Sequence, residues 1–425
     1  MTAAESRHWH PDRSLALRDT ALPCLPYLLD NHRLSELLGE SVHVTRVRYS
    51  PRTSLLVAFR RTRNGSFNYG WALTRAAKGN GKLRRREEAS RTLGGDVRIL
   101  HPDPRLQDAM VAVGGVEDDW GLQENLAWLR EHGPERLGLR RPSGTSLLAG
   151  SSSVLRYKPG RCLVLLLPNA GAPLVVKASA KPLETGHRQF HESLHLNGVP
   201  VLPELGNSEC AKHGISACAA WGGGDLAGLD EGDGARRAGE ALARVHAMPP
   251  PADPGSGGPS RPSALSDRLA EIRSMVASLV PALEDPARRL EAALRMLPAS
   301  PGSREPVLVH GDFSPEQVLV HGPEVRILDF GRAHTGAPEA DLGSFAAAEE
   351  AREPLAGGPS AGGPTTAGLA EGYAGAGGRF NQRDVNAWAA VRLFTRCLEP
   401  FNDRASDWAA DMAWHLRRAQ ELVGS

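Results

Sequence analysis

The pattern of apolar and polar residues predicts a small antiparallel β-lobe near the start of the chain. Residues 44–49 and 54–59 alternate on either side of a Ser-Pro-Arg-Thr turn, and residues 69–74 form a third β-like run. A strongly basic segment with helical spacing follows at residues 82–93. We therefore expect three strands and then a helix in this part of the chain.

The same order of elements is predicted again further along. Residues 47–56 read VRYSPRTSLL and residues 155–164 read LRYKPGRCLV, which indicates an internal repeat. The second copy has predicted strands at 152–157, 161–167 and 174–178, and a helix-like segment at 187–196. We interpret the repeat as a duplicated β-lobe. The second copy has Lys177 in its third strand, whereas the first offers Thr74 at that place.

The remainder of the chain is predicted to be mainly helical. Helices are expected at residues 120–132, 234–248, 265–283, 288–297, 344–352, 384–398 and 406–422. A Pro/Gly/Ser-rich stretch at 249–262 and a Gly/Ala-rich stretch at 357–378 are expected to be flexible. The pattern divides the chain into an N-terminal α/β domain at 1–140, a β-rich lobe at 144–226 and a helical region at 227–425.

Composition excludes several classes of protein. Fifty Lys and Arg residues balance forty-nine Asp and Glu residues, so the overall charge does not indicate a nucleic-acid or membrane partner. The five cysteines are scattered and never form a CxxC pair, which argues against a disulfide framework or a zinc site. Residues 1–14 lack an apolar signal core, and no apolar run is long enough for a transmembrane helix. We expect a cytoplasmic protein.

The local charge is less even than the total. Residues 43–105 contain fifteen Lys and Arg residues against four Asp and Glu residues. Such an excess is typical of a solvated face. It is also what a surface for an acidic partner needs, for example a peptide leader, a nucleotide or a phosphorylated ligand. Both interpretations stay open at this point.

The residues best suited to chemistry are concentrated at 307–343, which read VLVHGDFSPEQVLVHGPEVRILDFGRAHTGAPEADLG. Two apolar runs flank a Gly-Pro turn and predict a β-hairpin. If the turn is centred on Pro323, Gln317 lies opposite Asp329. The hairpin would then bring these two side chains close to Asp312. Two carboxylates and an amide oxygen are suitable ligands for one or two Mg²⁺ ions and can orient an attacking hydroxyl.

The motifs in this segment resemble those of the aminoglycoside phosphotransferase and choline kinase family. They are HGD at 310–312, Gln317, LDFG at 328–331, TGAP at 335–338 and DL at 341–342. The resemblance covers some two thirds of the chain, from about Gly144 onward. It implies an α+β fold of the bilobal protein-kinase type, with a small β-rich N-lobe and a mainly helical C-lobe. The N-terminal third would then be an extra domain that resembles a degenerate second N-lobe.

The resemblance also implies a reaction and its residues. It implies transfer of the γ-phosphoryl group of ATP, less readily of GTP, to a hydroxyl group with the help of Mg²⁺. Asp312 would be the catalytic base, Asp329 the main Mg²⁺ ligand and Asp341 a buried brace of the catalytic loop. The family has Asn where this chain has Gln317. Gln keeps the amide oxygen but adds a methylene group, which puts the second metal ligand in doubt.

The nucleotide is expected on the second β-lobe. Lys177 matches the lysine of the family's third strand and would hold the α- and β-phosphates. Glu192 on the next predicted helix would position Lys177, with Glu184 as the alternative. Residues 217–226 resemble the connector between the lobes. The helix at 234–248 ends in His246, which we expect to be packed and hydrogen-bonded rather than a ligand.

A glycine-containing turn is expected to cover the phosphates, because backbone N–H groups can approach them closely there. The predicted phosphate loop is the Lys-Pro-Gly-Arg turn, with Lys158, Gly160 and Arg161 as binding residues. The Gly-Ser-Ser-Ser stretch at 150–153 is the rival.

Three functions are compatible with the motifs. The family default is a kinase of a small-molecule hydroxyl, on an antibiotic, a sugar or an amino alcohol. The second is a kinase of Ser or Thr in a ribosomal peptide, with the basic N-terminal lobe as the docking module. The third is a nucleotide-binding pseudokinase scaffold, suggested by Gln317 and the extra lobe. The retention of Lys177, Asp312 and Asp329 argues against a scaffold, which needs none of the three.

Overall fold

The chain forms two compact units. The computed structural model describes residues 10–63, 66–106, 108–139, 146–148, 152–169, 171–229, 233–249, 262–296, 305–352 and 364–424. Unit 1 comprises Met1–Glu184, Leu205–Ala220 and Pro400–Trp408, and unit 2 comprises Thr185–Glu204, Trp221–Glu399 and Ala409–Ser425. One of the three residues after which the chain passes from unit 1 to unit 2, Ala220, lies within the predicted connector. No described helix is both long and apolar enough to cross a membrane.

Unit 1 begins with three short helices and a five-stranded antiparallel sheet. The helices are α1 (Pro11–Arg18), α2 (Leu25–Leu28) and α3 (Asn31–Leu38). The strands, in the spatial order β1-β2-β3-β5-β4, are β1 (Val42–Ser50), β2 (Ser54–Arg63), β3 (Ser66–Arg75), β4 (Arg98–Leu100) and β5 (Val111–Gly115). The basic helix α4 (Asn80–Thr92) follows β3, and α5 (Gln123–Leu137) follows β5. The predicted three strands and basic helix are confirmed, with somewhat longer strands.

A second antiparallel sheet in unit 1 has four strands in the order β6-β7-β8-β9. They are β6 (Ser153–Lys158), β7 (Cys162–Leu167), β8 (Leu174–Ser179) and β9 (Ile215–Ala219), with the short helix α7 (Ser208–Lys212) before β9. One hydrophobic core contains residues of both sheets and of α5, among them Trp71, Leu165, Val176, Leu126 and Leu129. Burial of this shared apolar surface stabilises the two sheets together.

The hairpin between β1 and β2 is held by a buried aspartate. Tyr49 pairs with Leu55 across the hairpin, and its hydroxyl donates a hydrogen bond to Asp19 Oδ2 at 2.6 Å. The backbone N–H of Arg52, in the turn, donates to the same oxygen at 2.8 Å. Arg52 has φ +57°, a left-handed conformation that non-glycine residues rarely adopt. The carboxylate therefore fixes both the strand and the strained turn.

The hairpin between β6 and β7 has the same contacts at the positions that the sequence repeat makes equivalent. Tyr157 pairs with Leu163 and donates to Asp119 Oδ2 at 2.7 Å. The N–H of Gly160 donates to that oxygen at 2.7 Å, and Gly160 has φ +67°. The repeat is thus visible in the register of the strands as well as in the residues.

The strand register corrects one predicted equivalence. Val164 pairs with Lys177, and the repeat equivalent of Val164, Leu56, pairs with Leu73 rather than with Thr74. Leu73 is buried in the core, and the Thr74 hydroxyl donates to the backbone oxygen of Met110 at 2.9 Å. The prediction that Thr74 occupies the place of Lys177 is wrong by one residue, although that place still lacks a cation.

Unit 2 is mainly helical. Its helices are α6 (His187–Leu196), α8 (Gly234–His246), α9 (Pro262–Leu279), α10 (Glu284–Met296), α11 (Glu339–Glu350), α12 (Pro364–Gly375) and α13 (Gln382–Arg396). The chain closes with α14 (Glu399–Asn402), most of which belongs to unit 1, and α15 (Trp408–Gly424), which apart from Trp408 belongs to unit 2. Unit 2 also has two small antiparallel sheets. One consists of β10 (Gly224–Asp225), β12 (Val318–His321) and β13 (Glu324–Ile327), and the other of β11 (Val307–Val309) and β14 (His334–Gly336). All of these strands except β10 lie between α10 and α11 in the sequence.

The Gly/Ala-rich stretch predicted to be flexible contains the helix α12, so that part of the prediction is wrong. Residues 357–363 of the stretch lie outside the described residues, as does most of the other predicted linker at 249–262. A Cβ atom on Gly372 would lie 1.8 Å from the backbone oxygen of Arg236 on α8, and one on Gly239 would lie 2.1 Å from that of Leu369. The glycines therefore allow two helices to pack with their backbones in contact.

The predicted hairpin around the Gly-Pro turn is confirmed, but its register is not. Val318 pairs with Ile327 and His321 pairs with Glu324, so the loop consists of two residues, Gly322 and Pro323. A two-residue loop shifts the expected centre of the turn by half a residue. Consequently the N–H of Leu328, not of Asp329, donates to the backbone oxygen of Gln317, at 2.9 Å.

Candidate active site

The loop that carries Asp312 is fixed by Asp341 in the first turn of α11. The buried carboxylate accepts the backbone N–H groups of His310 at 2.6 Å and Gly311 at 2.9 Å. Burial raises the pKa of Asp341, but the hydrogen bond and charge of His246 and the loop N–H of His310 outweigh it and hold the pKa below its usual value. The ionised carboxylate thus braces the loop, as predicted.

His246 connects this brace to α12. Its Nε2 donates to Asp341 Oδ2 at 3.1 Å, and its Nδ1 lies 2.8 Å from the hydroxyl of Tyr373. The ring is buried. His246 is therefore a packed, hydrogen-bonded histidine, as expected, and it joins the glycine-rich helix α12 to the loop through two hydrogen bonds.

The ring of His310 joins the loop to the end of β13. Its Nε2 lies 2.7 Å from the backbone oxygen of Leu328, and its Nδ1 lies 3.3 Å from the backbone nitrogen of Asp312. A carbonyl oxygen can only accept and a backbone N–H can only donate, so Nε2 carries the hydrogen and Nδ1 accepts. The ring also contacts Phe330, with centroids 4.7 Å apart. These contacts fix the loop that carries Asp312 against the LDFG segment.

Asp312 is accessible and flanked by two arginines. Its side chain is 40% exposed; Oδ1 lies 2.5 Å from Arg392 Nη2, and Oδ2 lies 3.1 Å from Arg332 Nη1. Burial raises the pKa of Asp312, but the positive charges of Arg392 and Arg332, with a smaller effect of Arg396, hold the pKa below its usual value. The carboxylate is therefore ionised in the resting protein.

The two arginines differ in how firmly they are held. Arg392, on α13, is 20% exposed, and its Nε donates to Ser344 Oγ at 3.0 Å. Arg332 directly follows the LDFG motif and is 64% exposed. Sequence reasoning missed both residues. The only signal for Arg332 was its place next to a motif, and Arg392 belongs to a helix with no motif of its own.

Asp329 lies exposed after β13 with φ +59°. Strained non-glycine residues of this kind concentrate at functional sites. Within the described ranges no group of three or more His, Cys, Asp or Glu residues could hold a metal ion. Mg²⁺ commonly uses one or two carboxylates together with water and phosphate oxygens, so the oxygen donors of Asp329 and the half-buried Gln317 are of a suitable type. Their roles as ligands of one ion remain predictions.

The predicted nucleotide-binding residues lie in both units. Lys177, in unit 1, is half-buried on β8, where it pairs with Val164 and Ser216. Glu192, in unit 2, lies on the exposed face of α6. The roles of Lys177 and Glu192 remain predictions, as does the choice between Glu192 and Glu184.

The predicted phosphate loop is already engaged by its own unit. The N–H of Gly160 is hydrogen-bonded to Asp119, and a Cβ at Gly160 would lie 2.9 Å from the ring of Trp120. A phosphate could use that N–H only by displacing the carboxylate. The predicted binding roles of Lys158, Gly160 and Arg161 stay predictions. In the rival stretch, residues 150 and 151 lie outside the described residues.

Comparison with known proteins gives the family. The model of the phosphotransferase enzyme family matches residues 116–394. The match thus starts before the predicted lobe at 144 and includes Asp119, the aspartate of the second hairpin. No curated protein matches the sequence significantly.

Solved structures with a similar fold include three kinases. A choline/ethanolamine kinase family protein from Mesorhizobium loti is 18% identical over 67% of this chain and 92% of its own, with a TM-score of 0.44. A spectinomycin phosphotransferase, solved with ADP and spectinomycin, is 14% identical over 71% and 96%, with a TM-score of 0.47. A macrolide 2′-phosphotransferase from Brachybacterium faecium is 20% identical over 69% and 98%, with a TM-score of 0.42.

The family match extends over well more than half of the chain and includes the HGD, LDFG, TGAP and DL motifs. The chain therefore belongs to the phosphotransferase enzyme family and is a kinase that transfers a phosphoryl group to an alcohol group.

Proposed function

We propose that the chain is a small-molecule phosphotransferase that moves the γ-phosphoryl group of ATP to an acceptor hydroxyl, with Asp312 as the base. The observation that supports this most directly is the position of Asp312. Its accessible carboxylate lies on a loop whose backbone is hydrogen-bonded to Asp341. The ring of His310, in the same loop, is hydrogen-bonded to Leu328 of the LDFG segment. Such fixed placement is what phosphoryl transfer requires of a protein.

Each site residue has a proposed task. Asp312 orients the acceptor hydroxyl and takes its proton; because the lowered pKa makes it a weak base, proton transfer would be late in a loose transition state. Arg392 places a fixed positive charge beside the reacting oxygen. Asp329 and Gln317 would hold Mg²⁺, which neutralises phosphate charge when bound. Lys177 would hold the α- and β-phosphates, with Glu192 as its positioning residue.

The charge next to Asp312 bears on the acceptor. Arg332 and Arg392 both reach the carboxylate. A third arginine, Arg396, is paired with Glu399 at 2.9 Å and adds less. A polycationic aminocyclitol would have to approach two guanidinium groups, which costs electrostatic energy. We therefore favour a neutral or anionic hydroxyl compound, such as a sugar, over an amino alcohol or aminoglycoside.

We also propose that residues 1–140 are a second copy of the N-lobe. The strand order β1-β2-β3-β5 matches β6-β7-β8-β9, and both hairpins have the same Tyr–Asp contact. With Leu73 at the place of Lys177, this copy would not hold nucleotide phosphates in the manner of the second.

A thermal-shift titration tests nucleotide and metal binding. ATP or ADP with Mg²⁺ is expected to raise the melting temperature by several degrees, on the order of 5 °C at a hundredfold excess over Kd, because both bind only the folded chain. Asp329→Asn should remove the Mg²⁺ dependence, whereas Asp312→Asn should retain it. Acceptors are then screened by phosphate transfer. The absence of any nucleotide response would exclude the proposed reaction.

The pH profile tests the role of the arginines beside Asp312. In the wild type the protonation of Asp312 should limit kcat/KM only below the usual aspartate value of 3.8, since its pKa is lowered. Arg392→Met removes a positive charge but leaves the burial that raises the pKa, so the acidic limb should move to higher pH. Arg332→Met, at an exposed and better screened residue, should move it less. An acidic limb that Arg392→Met leaves in place would contradict this assignment.

A further inference from the structure

Four arginines of unit 1 lie on or beside one face of the first sheet, and the roles proposed for Lys177, Asp312 and Asp329 use none of them. This arginine cluster consists of Arg48 on β1, Arg75 at the end of β3, Arg86 on α4 and Arg161 in the turn before β7. Arg48 and Arg75 project from the same face, because Arg48 pairs with Leu56 and Leu56 pairs with Leu73, two residues before Arg75. Trp71 of that face contacts Trp120, with ring centroids 4.9 Å apart. The guanidinium carbon of Arg86 lies 3.6 Å from the centre of the Trp120 ring. Three of these residues belong to the basic N-terminal segment. Only Arg161 belongs to the predicted phosphate loop.

The cluster contains buried donors without acceptors. Arg75 Nε and Arg86 Nη1 are buried atoms, and neither has a hydrogen-bond partner among the described residues. A buried guanidinium N–H without an acceptor costs free energy, so in native proteins such groups are usually satisfied by another group, a water or an ion. Two donors of this kind within one cluster can be satisfied by an added acceptor, such as a water or an oxyanion.

The charge of the cluster is not balanced by its own residues. Asp119 is the acid whose charge acts on both Arg48 and Arg86. Its oxygens already accept from Tyr157 Oη, Gly160 N–H and, at 2.9 Å, Gly121 N–H. The carboxylate whose charge acts on Arg48 and Arg86 therefore already has its hydrogen bonds committed to other groups.

Burial and the positive charges of neighbouring arginines lower the pKa values of Arg48 and Arg86. Burial, then the charge of Arg75, lowers the pKa of Arg86 to about 10, against a smaller opposite effect of Asp119. Burial, then the charge of Arg161, likewise lowers the pKa of Arg48. A bound anion would relieve both effects.

We propose that this arginine cluster is a binding site for a phosphate-type oxyanion. Guanidinium groups present paired N–H donors that match phosphate oxygens, and a tetrahedral dianion can accept from several of them at once. The shared chemistry is a phosphate group, either free or on a phosphorylated small molecule. All residues of the site lie in unit 1, so it stands independently of the roles proposed for Asp312 and Asp329.

Titration with phosphate compounds tests the site on the full chain. The melting temperature is followed in a phosphate-free buffer against inorganic phosphate, O-phosphoserine and, at equal ionic strength, acetate. The wild type should show a saturable rise of roughly 5 °C with one or both phosphate compounds and none with acetate. A larger response to phosphoserine would identify a phosphorylated compound as the ligand, and a larger response to inorganic phosphate would identify the free ion.

Variants locate the response. Arg86→Met keeps an apolar chain over Trp120 but removes the charge, so the phosphate response should be lost. Without phosphate its melting temperature should equal or exceed that of the wild type, because like charges are separated. Arg84→Met, an exposed residue on the same helix, should leave the response unchanged. Lys177→Met should also leave it unchanged while it impairs nucleotide binding.

Several outcomes would overturn the proposal. They are a wild type that does not respond to either phosphate compound, an equal response to acetate, a full response in Arg86→Met, and loss of the response in Lys177→Met. If Arg86→Met fails to fold, Arg75→Met takes its place with the same expected loss, since Arg75 supplies the other unpaired donor.

Discussion

Replacing Asp312 with Asn is expected to lower kcat by about 10²- to 10⁴-fold, the usual contribution of a positioned general base. Asn has the same size, but it has no negative charge and cannot take the hydroxyl proton. Nucleotide affinity should change little, because the proposed nucleotide ligands are other residues. The turnover is measured with an acceptor found by the screen, and the affinity by thermal shift with ATP and Mg²⁺.

Glu316 provides the matched control. It lies four residues from Asp312 in the same segment, is half-buried, and its charge also acts on Arg396. Glu316→Gln removes a negative charge from the region without removing the proposed base, so kcat should stay within about threefold. If Asp312→Asn kept a tenth or more of the wild-type kcat, or if both variants lost activity equally, Asp312 would not be the base.

Sequence reasoning correctly predicted contacts of the motif region and of one histidine outside it. The family resemblance implied a buried brace on the loop, and Asp341 makes the hydrogen bonds of one. The histidine at the end of α8 was expected to be packed, and His246 lies between Tyr373 and Asp341. These features depend on residue type and approximate spacing, both of which can be read from the sequence.

Two of the predictions were wrong by one residue in strand register. Gln317 lies opposite Leu328 rather than Asp329, and Leu73 rather than Thr74 is equivalent to Lys177. Alternation has a period of two residues, but the register of a hairpin depends on whether its loop has two residues or three. A sequence pattern that contains a Gly-Pro turn does not distinguish the two.

The contacts of the arginines beside Asp312 could not be predicted from the sequence, for a different reason. Arg392 reaches Asp312 from a helix eighty residues further along the chain. No local pattern marks such a contact, because it depends on how α11 and α13 pack. The same holds for the arginine cluster of unit 1, since the sequence showed an excess of basic residues but not which of them are neighbours in the fold.

The glycines of α12 were misread because composition alone does not separate flexibility from close packing. Gly is unfavourable in a helix by about 1 kcal/mol relative to Ala, which is why a Gly-rich stretch predicts a mobile segment. In this chain Gly368 and Gly372 face α8, and Gly239 on α8 faces α12. The loss in helix propensity is offset by the contact that the missing side chains permit.

Gly372→Ala is therefore expected to destabilise unit 2 by about 3 kcal/mol, at the upper end of overpacking effects. The added Cβ would lie 1.8 Å from the backbone oxygen of Arg236, and backbone cannot move aside as a flexible side chain can. The two helices must separate, which also strains the hydrogen bond between Tyr373 on α12 and His246 on α8. Because His246 holds Asp341, catalysis should weaken in the variant even where it remains folded.

Gly375→Ala on the same helix is the control that changes helix propensity without adding a clash with α8. A Cβ at Gly375 has no heavy atom within 4 Å among the described residues, so this change should be neutral or stabilise by up to about 1 kcal/mol. Urea unfolding of both variants measures the difference. If the segment were a mobile linker, both substitutions would have the same small effect. Opposite signs at two glycines three residues apart can arise only if α12 packs closely against α8.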